Sequence, residues 1–189
     1  MDDSYKSLSA DVTHPVYQVS RSEEREEALQ QAVAPVMAMS EDEMVALVPD
    51  RTGCRYLRCP NCNEGSHESQ LVWKIEDPDG VTCKFCGMRF PNGTHPEDRI
   101  LRARNSLGEE VEYPYWEDET GYRYFFCARI WRATRFYFAS RAKDLGELYQ
   151  MTAAARFARR AVLILDTFAR GYPGYLVMLD EVHLPKTFH

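Results

Sequence analysis

The spacing of apolar residues changes twice along the chain, and each change marks a new kind of structure. Residues 22–39 (SEEREEALQQAVAPVMAM) place Ala28, Leu29, Ala32, Val33 and Val36 at helical spacing. Ser22 precedes them as a cap, and acids fill the first turn, where they favour the positive end of the helix dipole, so a helix is predicted. Pro35 has no amide hydrogen to donate and is expected to bend or break that helix. Ser40-Glu41-Asp42-Glu43 matches a capping box and predicts a second, short helix ending before Pro49. From Arg51 to Glu119 the pattern becomes short β-type runs, QLVWKI (70–75), VTCKF (81–85), RILRARN (99–105) and EEVEYPY (109–115), punctuated by Pro, Gly and Asn. Asn105-Ser106-Leu107-Gly108 reads as a hairpin turn between two of them.

After Asp118-Glu119-Thr120-Gly121 the helical period returns. Phe126, Ile130, Ala133, Tyr137, Leu145 and Leu148 form one face of a long helix, with Arg129, Arg132, Arg135 and Arg141 largely elsewhere. A second helix, about 154–170, spaces Phe157, Ala161, Ile164, Leu165 and Phe168 for burial and stops before Gly171-Tyr172-Pro173-Gly174. Two helices joined by a short loop make an αα-hairpin. The final stretch, YLVMLDEVHLPKTFH, shows no clean period. The expected fold is α+β: residues 1–50 an acidic helical segment, 51–120 a small antiparallel β module, and 121–189 a helical pair.

Composition narrows the class. With 189 residues, 44% hydrophobic and 12% aromatic, the chain can bury a core as one domain or as a compact domain carrying a small module. No run reaches the ~20 apolar residues a bilayer span requires, so no membrane partner is expected. The N-terminus MDDSYKSLSA lacks the basic start and apolar run of a secretory signal, which places the expected location in the cytoplasm. Charge is unevenly distributed: residues 1–50 sum to -8, 51–120 to -4 and 121–189 to +6. An acidic chain is a poor nonspecific binder of nucleic acid, but a basic third could attract an anionic polymer, including a polyuronate or a sulfated sugar.

The clearest chemistry lies in Cys59-Pro60-Asn61-Cys62 and Cys83-Lys84-Phe85-Cys86-Gly87, two CxxC pairs twenty residues apart. Each pair can set two thiolates on one tight knuckle, with backbone amides aimed at the sulfurs. Two knuckles brought together supply the tetrahedral four-thiolate shell that zinc prefers. Redox-active pairs or disulfides are the competing readings; the cytoplasmic character and the absence of a thioredoxin-like βαβ pattern favour zinc. Four protein ligands leave no open position, so the expected role is structural, in a zinc-ribbon-like module. Cys54 lies near the first knuckle and could substitute as a ligand, but the regular spacing favours Cys59, Cys62, Cys83 and Cys86. Cys127 reads as a small buried apolar residue.

His67 and His95 flank the module in polar turns and read as solvated loop histidines, while His14, His183 and His189 have no partner constellation. Walker, GxGxxG, GxSxG and HExxH motifs are absent. The aromatic-rich segment YPYWEDETGYRYFF could stack on sugar rings, but packing of the seam between β module and helices is the plainer expectation.

The order of these features carries a resemblance: a helix, CPNC, a Trp-bearing strand, CKFCGMRFPN, a hairpin, YPYWEDETGYRYFFCARIW, then LYQMT and ARRAVLILDTFARGYPGY. It resembles the N-terminal region of heparinase II/III-like bacterial polysaccharide lyases, alginate-lyase-like members included, over about Val33 to Tyr175. The resemblance implies the opening helices of an (α/α) toroid interrupted by a zinc-ribbon-like insertion. It also implies an acidic polysaccharide as partner and β-elimination at a uronic acid by residues of later helices and a second domain. No catalytic position can be carried over, so the chain is expected to be an N-terminal fragment that needs the missing C-terminal part. Two departures stand out. Thr152-Ala153-Ala154 replaces a Thr-Gly-Asp helix connection, and Asn63 replaces a Gly after the first knuckle. The alternative reading is a free-standing zinc module that grips a nucleic acid or protein partner.

Overall fold

The computed structural model describes residues 22–62, 64 and 70–175; Asn63, His14, His67, His183 and His189 lie outside them. Helix α1 spans Glu23–Ala38, and the Ser22 hydroxyl accepts the Arg25 amide hydrogen at 3.1 Å. Pro35 does not break it: the proline sits in the last turn, and the helix runs on to Ala38. Helix α2 (Glu41–Leu47) opens with the expected capping box, both halves of which form between Ser40 and Glu43.

The middle of the chain forms two three-stranded antiparallel sheets. The first orders β1 (Leu71–Lys74), β2 (Asp77–Cys83) and β3 (Arg89–Phe90); the second orders β4 (Arg99–Arg104), β5 (Glu110–Glu117) and β6 (Arg123–Tyr124). Register in the first sheet sets Leu71 opposite Cys83 and Val81 opposite Phe90, and all four side chains are buried. The β4–β5 hairpin closes where the sequence predicts. Gly108 takes φ 81°, and the Asn105 side chain accepts the amides of Leu107 and Glu109.

The helix expected directly after Gly121 begins later, at Phe126. Asp118 to Gly121 is itself a hairpin turn, held by Asp118 Oδ1 and by Gly121 at φ 80°, and it leads into β6 before any helix begins. Two-residue strands such as β3 and β6 carry too few positions for a period to show.

Helix α3 (Phe126–Thr152) and helix α4 (Ala155–Gly171) form the expected αα-hairpin, followed by a 3-10 turn at Tyr172–Gly174. Two hydrophobic cores share α3. Its first turns (Phe126, Ala128, Ile130) close the core of the β module, and its second half (Phe138, Ala142, Leu145, Leu148) packs with α1, α2 and α4. The buried face of α3 therefore includes Thr134 and Phe138, while Ala133 and Tyr137 are only half-buried. On α4, Ile164 is fully covered by this second core, whereas Leu165 is exposed.

A few charged side chains link the N-terminal and C-terminal helices. Arg25 pairs with Glu147 at 2.6 Å and Arg159 with Glu41 at 2.9 Å. Arg141 and Arg160 donate to the carbonyls of Ala32 and Met39. The basic helices are thus docked against the acidic N-terminal helices. Among the described residues, no helix is long and apolar enough to cross a membrane.

Candidate metal centre

The first knuckle is delivered by an irregular segment that lies directly on α3. The Cys54 amide donates to the Ala128 carbonyl at 3.0 Å. Gly53 makes that approach possible, because a Cβ there would sit 2.3 Å from the Arg132 amide nitrogen and 2.4 Å from the Ala128 oxygen. The second knuckle follows from the end of β2. The Gly87 amide donates to the Cys83 carbonyl at 2.9 Å, with Gly87 at φ 73°.

Folding brings the four predicted sulfurs together, all within 4.8 Å of one another. Across the knuckles, Cys59 Sγ lies 3.7 Å from Cys86 Sγ, and Cys62 Sγ lies 3.6 Å from Cys83 Sγ. A tetrahedron of thiolates at the usual zinc–sulfur bond length has edges of about 3.8 Å. Two edges match that value and none exceeds 4.8 Å, so the donor set and spacing could hold a metal ion. Backbone amides of Asn61 and Cys62 hydrogen-bond the Cys59 sulfur, and that of Met88 hydrogen-bonds Cys86.

The environments of the sulfurs differ. Burial pushes the Cys59 thiol up to about 12. The Met88 amide, helped by the Asn61 side chain, holds the exposed Cys86 down to about 6. A metal must displace these protons, so affinity rises with pH.

Gln70 is a site residue that sequence reasoning missed. It is fully buried; its side-chain oxygen accepts the Cys59 amide at 2.6 Å, and its side-chain amide donates to the Glu64 carbonyl. Its own carbonyl accepts the Lys84 amide at 3.0 Å. One glutamine thus links both knuckles. The available signal was a polar residue opening the apolar run QLVWKI.

The remaining candidates are placed differently. Cys54 is buried with its thiol toward the Phe125 carbonyl at 3.6 Å, outside the four-sulfur group. Cys127 is not simply a buried apolar residue. It is half-buried in the first turn of α3, and its amide and thiol both donate to the Glu97 carboxylate. Phe125 offers α3 no side-chain cap, so Glu97, thirty residues upstream, caps the helix instead. His95 is half-buried rather than fully solvated: its ring packs edge-on against Phe90 and Trp116 at 5.2 and 4.7 Å, and partial burial lowers its pKa. The aromatic segment packs the seam, with Tyr113 against Trp131, Tyr115 against Phe125 and Phe90 stacked on Phe126.

Comparison with family models, curated proteins and solved structures finds no match to this chain. The site is therefore read from its own chemistry.

Proposed function

We propose that this chain is the opening, non-catalytic part of a heparinase II/III-like polysaccharide lyase, in which a structural zinc ion bound by Cys59, Cys62, Cys83 and Cys86 braces the start of the helical region. The observation that carries the proposal is the seating of the four-cysteine module on the first helix of an αα-hairpin, in the order the motif resemblance implies. Zinc is the metal of choice because four thiolates at tetrahedral spacing suit it, and because it brings no redox chemistry of its own. Four sulfurs fill its coordination shell, so its work is to hold two loops together rather than to activate water. In this reading α3 and α4 begin an (α/α) toroid. The acidic polysaccharide is held and cleaved by residues beyond the opening helices.

The alternative of a free-standing module that grips nucleic acid is weaker on charge. Arg141, Arg159 and Arg160 all engage groups of α1, α2 or the segment between them. Arg141 and Arg160 are held by backbone carbonyls of the fold, while Arg159 keeps only an exposed pair with Glu41.

The test has two parts. Metal analysis of the purified chain is expected to give one zinc per chain, lost on substitution of the four cysteines. The chain is then incubated with alginate, heparin, heparan sulfate and hyaluronan while the ultraviolet absorbance of unsaturated uronides is followed. No rise is expected from the chain alone, and a rise is expected when it is joined to the product of an in-frame downstream sequence. A gene in which no further helices follow would sink the lyase reading, as would salt-sensitive nucleic-acid binding by the chain alone.

A further inference from the structure

Helix α4 carries two apolar faces. One, formed by Phe157, Ala161 and Ile164, is buried in the core beneath it. The other runs through Ala155, Ala158, Val162, Leu165, Ala169 and Tyr172 in alternating steps of three and four residues, the spacing of a coiled-coil seam. Among the described residues most of it is open: Val162 is 63% exposed, Leu165 56% and Tyr172 70%, with Ala158 half-buried. Tyr172 keeps helical backbone angles beyond the end of α4, so it continues the same stripe.

We propose that this face is the contact surface of an antiparallel homodimer. A two-fold axis between Val162 and Leu165 sets each of these residues opposite the other in the second copy. The same operation sets Ala158 opposite Ala169, where two small side chains allow close approach. It also sets Ala155 opposite Tyr172, where a small residue leaves room for a large one. A surface that complements itself under a two-fold axis is what an isologous interface requires.

The charges select the same arrangement. Arg159 and Asp166 flank the stripe on one side, seven residues apart, and the antiparallel register brings Arg159 beside Asp166 of the second copy, twice by symmetry. Within one chain Arg159 reaches Glu41 at 2.9 Å and Asp166 reaches Arg170 at 2.6 Å. Both are exposed pairs of the kind that contribute little, so sharing them across an interface costs little.

The test is sedimentation velocity of the zinc-loaded chain over a wide concentration range. A reversible monomer–dimer equilibrium is expected. Leu165→Glu should weaken it by about tenfold or more without altering the circular dichroism spectrum, since Leu165 is 56% exposed and lies outside the buried core. Arg159→Asp should also weaken it, and adding Asp166→Arg should restore much of the loss, although the contact to Glu41 is absent in both variants. A monomer at every concentration, or a dimer indifferent to Leu165→Glu, would overturn the proposal. A double variant that associates no better than Arg159→Asp would exclude the antiparallel register on which it rests.

Discussion

The side chain of Gln70 accepts the amide hydrogen of Cys59 at 2.6 Å, from a position where both residues are fully buried. The bond fixes the backbone of the first knuckle, while the Gln70 carbonyl holds Lys84 in the second at 3.0 Å. Orientation of the sulfurs therefore depends on a residue that binds no metal. Gln70→Ala should leave the Cys59 amide buried without a partner, at a cost of about 1–3 kcal/mol. Metal affinity is expected to fall by about tenfold to a hundredfold, read by competition with a chromogenic chelator.

Removing the proposed zinc should cost far more. Structural zinc sites contribute on the order of 10 kcal/mol or more, so a strong chelator is expected to abolish the near-ultraviolet signal of the aromatic seam and to lower the thermal midpoint steeply. Cys59→Ala should lose metal stoichiometry. Cys54→Ala should keep it, because the Cys54 thiol faces the Phe125 carbonyl and lies outside the sulfur group.

Gly53→Ala should destabilise the protein by about 2 kcal/mol or more, because the added methyl meets helix backbone rather than a mobile side-chain end. Denaturant titration measures the loss. Weaker metal binding should accompany it, as the first knuckle is pushed off α3.

The α3–α4 connection offers the opposite sign. Ala153 sits at φ 55°, ψ 16°, a left-handed conformation that costs a residue with a Cβ about 1 kcal/mol relative to glycine. Ala153→Gly is expected to raise stability by up to that amount, less the entropy glycine adds to the unfolded chain. Ala154 gives α4 no side-chain cap, and Ala154→Asp should add about 1 kcal/mol. Thermal unfolding of both variants and their combination checks the two increments.

Burial raises the Glu97 carboxyl from 4.5 to about 7, against the hydrogen bonds from Cys127 that lower it. A folded-state value above the unfolded one means that the folded protein holds this proton more tightly. The contribution to stability is therefore full below the ordinary carboxyl range and is lost as pH rises through about 7. Glu97→Gln keeps an acceptor for the Cys127 amide and should flatten this part of the stability profile, measured as unfolding midpoints on either side of neutrality.

Much of this was legible in the residues. Caps at Ser22 and Ser40, the Gly108 turn and the paired CxxC spacing are local signals, and each formed as read. What was not legible is non-local. Glu97 caps a helix that begins almost thirty residues later, Gly53 is defined by a backbone it meets only after folding, and Gln70 joins two loops from outside both. His95 stands in a polar loop by sequence, yet tertiary contacts set its ring edge-on against Phe90 and Trp116 and leave it half-buried. The exposure of Leu165 beside the buried Ile164 shows the same limit, since period alone does not say which of two apolar faces a neighbour will cover.

Helix α3 closes the core of the β module with its first turns and the helical core with its last. The cysteine-bearing segment is consequently no detachable cassette. Deleting residues 51–120 in a single step would lay bare Phe125, Phe126 and Ile130 and strip the helix of its only side-chain cap among the described residues. A lineage that gained or shed the module would have had to rewrite the beginning of α3 in the same passage. Hybrid chains that graft the module elsewhere should fail unless those first turns travel with it.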